Sequence, residues 1–81
     1  MSQVIFEVEQ AGCESCAARV RAALEPFAEL GEISIDSETD SATVHATGDA
    51  LSEEAVNRAL EDASHGSGHV YRVRPGSWQV A

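Results

Sequence analysis

The fold is decided at residues 4–20, which read VIFEVEQAGCESCAARV. At the start of this stretch Val4, Phe6 and Val8 recur at the two-residue period of a half-buried strand. From the first cysteine onward the apolar residues recur every three or four positions, which is the period of a helix. The stretch therefore predicts a strand that passes into a helix, with both cysteines of the chain at the junction.

The remaining residues predict a further helix and three further strands. Pro26 should end the first helix, because proline lacks an amide donor and disfavours helix at the preceding residue. Residues 32–36 and 42–46 are typical of short strands joined by a turn, which predicts a hairpin. Ser52 is a favourable N-cap for a second helix, and residues 69–74 predict a fourth strand.

This order of elements predicts an α+β fold of the ferredoxin-like βαββαβ type, a four-stranded antiparallel sheet with two helices on one face. The domain is predicted to cover residues 1–74, and residues 75–81 are predicted to form a short C-terminal tail in which Trp78 has no assigned role. In this topology the end of the first strand lies beside the start of the fourth. We therefore expect the cysteine loop and the loop that carries His65 to be neighbours.

Composition excludes several classes of function. The chain has 81 residues, 43% of them hydrophobic, which fits one globular domain. Its net charge of −9 argues against binding to nucleic acid or to anionic membranes. There is no apolar run long enough for membrane insertion, and the N-terminus lacks the pattern of a signal peptide. We therefore expect a cytoplasmic protein with reduced thiols and without a structural disulfide.

The spacing of Cys13 and Cys16 favours metal binding. A helix N-terminus favours thiolate over thiol, and two thiolates on one short loop can reach a common soft ion. Two cysteines cannot form a closed four-cysteine zinc site, so the site would be open, as suits an ion that is handed on. Linear coordination by two sulfurs suits Cu(I) or Hg²⁺, whereas tetrahedral Zn²⁺ would need two more ligands.

Two other interpretations of the cysteines stay open. Thioredoxin-like thiol-disulfide oxidoreductases also carry CxxC between a strand and a helix, although their sheets need more strands and helices than this chain supplies. Glu14, between the cysteines, disfavours a strongly acidic thiol. The other alternative is inert packing in a purely structural domain, which the polar loop beside Gly12 disfavours.

The chain resembles a heavy-metal-associated domain, the copper-chaperone module also found at the N-termini of metal-transporting ATPases and mercuric reductases. The resemblance covers about residues 3 to 73 and is carried by QAGCESC at 10–16, the first helix, the hairpin, and LSEEAV at 51–56. It implies that Cys13 and Cys16 bind a soft metal, with Cu(I) most favoured and Zn²⁺, Cd²⁺ or Hg²⁺ as alternatives. It also implies a metallochaperone without enzymatic activity, or alternatively a metal-binding domain associated with a transporter. Its partner would be a metal-transporting P-type ATPase or another metal-acceptor protein, with a metal-bridged dimer as a further state.

This chain departs from the family pattern at the loop itself. Family members typically carry Gly-Met-Thr before the CxxC, where this chain has Gln10, Ala11 and Gly12. Without the methionine, which usually packs into the core, we expect a loop that is either more mobile or held in another way. Glu14 adds an oxygen donor that would help to hold a divalent ion such as Zn²⁺.

His65 is a candidate third metal ligand or proton-linked gate, because the topology places its loop near the cysteines. The alternative is a loop histidine without a role. His69 is a weaker candidate, and His45 is expected on the open face of the sheet. The remaining aromatic residues are expected in the core, namely Phe6, Phe27 and Tyr71.

Overall fold

Helices and strands follow one another as the sequence predicts, with one additional strand at the C-terminus. The computed structural model describes residues 3–26, 28–48, 51–66, 68 and 70–80. The elements are β1 (Gln3–Glu9), α1 (Glu14–Leu24), β2 (Glu29–Asp36), β3 (Ser41–Thr47), α2 (Glu53–Ser64), β4 (Arg72–Val73) and β5 (Gln79–Val80).

Strand β1 is the centre of the antiparallel sheet. The strand order is β2-β3-β1-β4, and β5 pairs with β1 beside β4. Glu9 pairs with Arg72, so the end of β1 lies next to the start of β4. The ferredoxin-like α+β fold is confirmed, but the sheet has five strands within the described residues and not the four that the sequence predicts.

The core lies between one face of the sheet and the two helices. Val4, Phe6 and Val8 of β1 are at most 2% exposed, and in the sheet register they lie opposite alanine and valine residues of β3. The two helices cover this face, because their apolar residues belong to the same buried cluster. Those fully buried helical residues are Val20, Leu24, Val56 and Leu60.

The ends of the helices agree with the sequence. Helix α1 ends at Leu24, and Glu25 is its C-cap, immediately before Pro26. Ser52 caps α2, since its hydroxyl accepts a hydrogen bond from the Ala55 amide at 3.1 Å. Neither helix within the described residues has the length and apolar character needed to cross a membrane.

The segment that follows β4 belongs to the sheet. β4 covers only two of the residues predicted for the fourth strand, and it pairs only with the end of β1. β5 pairs with the first half of β1, along the same edge. Ser77 links β1 to the residue that follows β4, because its hydroxyl accepts from the Glu7 amide at 3.1 Å and donates to the Arg74 carbonyl at 2.7 Å. The Trp78 ring stacks on Phe6 with 5.1 Å between ring centroids. Residues 77–80 thus complete one edge of the sheet and core. Phe27, which the sequence predicts in the core, lies outside the described residues.

A cysteine site held between two neighbouring segments

The loop between β1 and α1 begins with a sharp change of direction at Gln10. Its φ of 60° lies in the left-handed region, which residues with a Cβ rarely adopt. The Gln10 side chain accepts a hydrogen bond from the Val70 amide at 3.1 Å. The first residue of the loop is therefore fastened to the segment that precedes β4.

The next two residues of the loop are bound to Asp40, in the turn between β2 and β3. The Ala11 amide donates to the Asp40 carbonyl oxygen at 3.2 Å, and the Gly12 amide donates to the Asp40 Oδ1 atom at 3.2 Å. Ala11 is fully buried. The loop without the family methionine is thus held in another way, by hydrogen bonds to a neighbouring turn.

The close approach of Gly12 to this turn leaves no room for a side chain. A Cβ at position 12 would lie 2.6 Å from the Asp40 Cα and 2.9 Å from its Oδ1 atom. Both distances are below ordinary van der Waals contact. Glycine is therefore required at this position for the loop to reach its two hydrogen bonds.

The two cysteines occupy different environments at the start of α1. Cys13 is exposed and is the N-cap, and its sulfur accepts a hydrogen bond from the Cys16 amide at 3.3 Å. Cys16 is only 3% exposed and belongs to the core cluster. Because the free amides and the dipole of a helix N-terminus favour negative charge, this location stabilises sulfur in the thiolate form.

The sequence of the chain matches a known family. A model of the heavy-metal-associated domain matches residues 5–66, a span that includes both cysteines. The chain belongs to the heavy-metal-associated domain family. No curated protein and no solved structure matches the chain. Members of this family are metal-binding, non-catalytic modules, so membership supports binding of soft heavy-metal ions.

The sulfur atoms of this heavy-metal-associated domain are joined as a Cys13–Cys16 disulfide. The sequence predicts reduced thiols, so the oxidised pair is a correction. Its physical reason is the short reach of the motif, since the two Cα atoms are 5.2 Å apart and lie within the usual range for a disulfide. The same proximity allows both sulfurs to bind one ion once the disulfide is reduced.

The other predicted ligands of the heavy-metal-associated domain are not gathered around the cysteines. His65 is exposed at the C-cap of α2, and Glu14 is exposed in the first turn of α1. Within the described residues, no three His, Cys, Asp or Glu side chains form a group that could hold a metal ion. Among the described residues, the structure thus brings only the two cysteines together. His69 lies outside the described residues.

Sequence reasoning missed Asp40, which is the main contact of the cysteine loop. In the sequence this residue belongs to the turn-forming run SETDS at 37–41, which predicts only a turn. The contact depends on how the β2–β3 turn lies beside the β1–α1 loop, a tertiary relation that residue spacing does not encode. The one available signal was Gly12, because a glycine next to a functional residue often marks a close backbone approach.

Proposed function

We propose that this domain is a cytoplasmic metallochaperone that binds Cu(I) through Cys13 and Cys16 and delivers it by exchange of thiolate ligands. One observation carries the proposal. Two sulfurs converge at a helix N-terminus, one of them exposed and the other buried, in a chain of the heavy-metal-associated domain family. Soft sulfur ligands favour Cu(I), and a pair of them suits its linear coordination.

Metal binding begins from the reduced pair. Reduction of the Cys13–Cys16 disulfide takes two electrons and two protons, which two molecules of a cytosolic thiol supply while they are oxidised to one disulfide. Cu(I) then replaces the two thiol protons, which are released to solvent. The amides at the start of α1, including the Cys16 amide that already contacts the Cys13 sulfur, stabilise the resulting thiolates.

Delivery requires a sulfur that a partner can approach. In this proposal an incoming thiolate of a metal-acceptor protein adds to the two-coordinate ion before an outgoing one leaves, so that no free ion is released. The exposed Cys13 is the ligand that the partner reaches first, while the buried Cys16 keeps its bond longer. A metal-transporting P-type ATPase is the proposed acceptor, and a metal-bridged dimer would use the same exposed sulfur.

The identity of the metal and the third ligand are further parts of the proposal. Zn²⁺, Cd²⁺ and Hg²⁺ are the alternative ions, and Zn²⁺ needs donors besides the two sulfurs. His65 and Glu14 are the proposed additional donors. Within the described residues His65 joins no group of possible metal ligands, so its participation would require its side chain to come closer to the cysteines than it lies in the structure.

A thiol-disulfide oxidoreductase is the second candidate, and the disulfide itself is the observation that favours it. An exposed cysteine followed by a buried one is also suited to attack on a substrate disulfide and resolution of the mixed disulfide. The reduced protein should then reduce a model protein disulfide at a rate well above that of free dithiol. Such catalysis without tight metal binding would favour this candidate.

An anaerobic titration decides between the proposals. The reduced protein is titrated with Cu(I) against a competing chelator, and the titration is repeated with Zn²⁺. Tight binding of one Cu(I) per chain, abolished in the variant with Cys13→Ser and Cys16→Ser, supports the Cu(I) proposal. Stronger retention of Zn²⁺ than of Cu(I) would overturn the assignment of the metal.

A further inference from the structure

We infer that Asp40 is a positioning residue for the metal site: it holds the exposed sulfur ligand in place through the backbone of the loop. The inference rests on the proposed function, since it concerns how the same two cysteines are prepared for a ligand. Asp40 lies 24 residues beyond Cys16 in the sequence and on a different element, the β2–β3 turn.

The contact of Asp40 with the loop is double. Its carbonyl oxygen accepts from the Ala11 amide and its carboxylate accepts from the Gly12 amide, both at 3.2 Å. Two consecutive peptide units are therefore bound to one residue. Gly12 directly precedes Cys13, so its orientation determines where the Cys13 backbone enters the helix.

The turn that carries Asp40 is itself well defined. The Asp36 Oδ1 atom accepts from the Glu38 amide at 3.0 Å and from the Thr39 amide at 3.4 Å. The hydroxyls of Thr39 and Ser41 are hydrogen-bonded at 2.6 Å. Asp40 itself has a φ of 52°, and in this conformation both its carbonyl oxygen and its carboxylate accept hydrogen bonds from the loop. The hydrogen bonds within the turn fix the conformation in which Asp40 reaches the loop.

The two sulfur ligands depend on Asp40 to different extents. Cys16 is buried among core residues and is fixed by packing. Cys13 is exposed, and its position is determined by the helix amides on one side and by the Gly12 peptide on the other. Without the Asp40 contact, the loop that carries Cys13 would be ordered only when the metal binds. The conformational entropy lost in that step would lower the affinity for the metal.

The test uses four variants in the same turn. Asp40→Gly removes the carboxylate but tolerates the left-handed backbone, and Asp40→Asn keeps an oxygen acceptor in the same place while removing the charge. Glu38→Gly and Glu38→Gln are matched controls, because Glu38 is exposed in the same turn and each substitution removes one negative charge, as the Asp40 substitutions do. Denaturation midpoints of the reduced, metal-free proteins are measured in parallel.

Two readouts make the test independent of the identity of the metal. One is the Cu(I) dissociation constant of the reduced protein. The other is the equilibrium in a glutathione buffer, in which the protein dithiol and oxidised glutathione exchange with the protein disulfide and two molecules of reduced glutathione. Cu(I) binding and disulfide formation both require the sulfur atoms of Cys13 and Cys16 to come close together, but only the first of these processes requires Cu(I). If the wild-type chain does not bind Cu(I), the proposed function fails while the second readout still tests Asp40.

Asp40→Gly is expected to weaken Cu(I) binding by about three- to tenfold, the equivalent of one hydrogen bond, and to shift the glutathione equilibrium toward the dithiol by a similar factor. Asp40→Asn should stay within about twofold of wild type, as should both Glu38 variants. The inference is overturned if Asp40→Gly leaves both equilibria unchanged. It is also overturned if Asp40→Asn is as impaired as Asp40→Gly, since charge would then account for the effect.

Discussion

Two loops lie at the cysteine end of the sheet, and they are held in very different ways. The β1–α1 loop, residues 10–13, is bound to Val70 through Gln10 and to Asp40 through its next two amides. The α2–β4 segment shares the bond between Val70 and Gln10, but Gly66 and Gly68 have positive φ values, and a Cβ at either position would meet nothing within 4 Å. The topology of the sheet brings the two segments together, whereas local hydrogen bonds and packing decide which side chains have a fixed position.

This difference separates the two kinds of predicted ligand. The cysteines start a helix whose inner face is buried and whose preceding loop is fastened on both sides, so their positions are defined before a ligand arrives. His65 ends a helix and is exposed, and within the described residues it joins no group of metal ligands. A metal ion would therefore find two sulfurs in place and would have to recruit the histidine.

The largest effect is expected for removal of both sulfurs. The variant with Cys13→Ser and Cys16→Ser should lose affinity for Cu(I) by at least about a thousandfold, because thiolates supply most of the binding free energy for a soft ion. Competition with a chelator under anaerobic conditions measures the loss. The far-UV circular dichroism spectrum provides the control for folding. Retention of tight Cu(I) binding by this variant would place the site elsewhere.

A pair of glycine substitutions compares the two loops directly. Gly12→Ala should destabilise the fold by about 1–3 kcal/mol and also weaken Cu(I) binding, because its methyl group would collide with Asp40. Gly66→Ala should destabilise by about 1–2 kcal/mol through its positive φ alone and leave Cu(I) binding unchanged. Urea denaturation and Cu(I) competition measure the two effects. Equal losses of affinity in the two variants would contradict the difference between the loops.

A third region provides a control for stability without metal binding. Trp78→Ala removes the ring that stacks on Phe6 and should destabilise the domain by about 2 kcal/mol, less than for a fully buried aromatic residue. Cu(I) affinity should not change, because β5 pairs with the part of β1 that is farther from the cysteine loop. Thermal unfolding of the reduced protein checks the first effect. An unchanged unfolding temperature would show that the Trp78 ring does not contribute to the stability of the domain.

The smallest effect is expected for His65→Ala. If the exposed histidine is recruited as an additional donor, fixing its side chain on the ion offsets most of the gain, so the Cu(I) affinity should fall by less than about threefold in this variant. The same competition titration measures the change, with His45→Ala on β3 as the matched histidine control. A tenfold or larger loss specific to His65→Ala would contradict the comparison between the loops.

Most of the fold could be predicted from the sequence, because β1, β3 and both helices bury regular patterns of apolar residues. The alternation at Val4, Phe6 and Val8 and the cap at Ser52 are local signals, and both are confirmed. β5 could not be predicted, because a two-residue strand has no period and forms only where β4 leaves part of β1 unpaired. Trp78 acquires its role through this pairing.

The candidate site was predictable only in part. Spacing identifies Cys13 and Cys16, because a CxxC at a helix start brings two sulfurs together whatever the rest of the fold does. The contact of Gly12 with Asp40 is set by the packing of two turns that are distant in sequence, and it has no signal in residue spacing. The oxidation state of the cysteines depends on the redox conditions around the protein. The expectation of reduced thiols was based on an expected cytoplasmic location and not on the geometry of the two cysteines.

X-ray absorption spectroscopy of the anaerobically loaded Cu(I) protein reports the atoms bound to the ion and therefore tests whether Cys13 and Cys16 are its ligands. The account predicts one copper per chain with two sulfur neighbours from Cys13 and Cys16, and the loss of this sulfur shell in the double serine variant. A first shell made of nitrogen and oxygen atoms, or a sulfur shell that persists in the double serine variant, would contradict it.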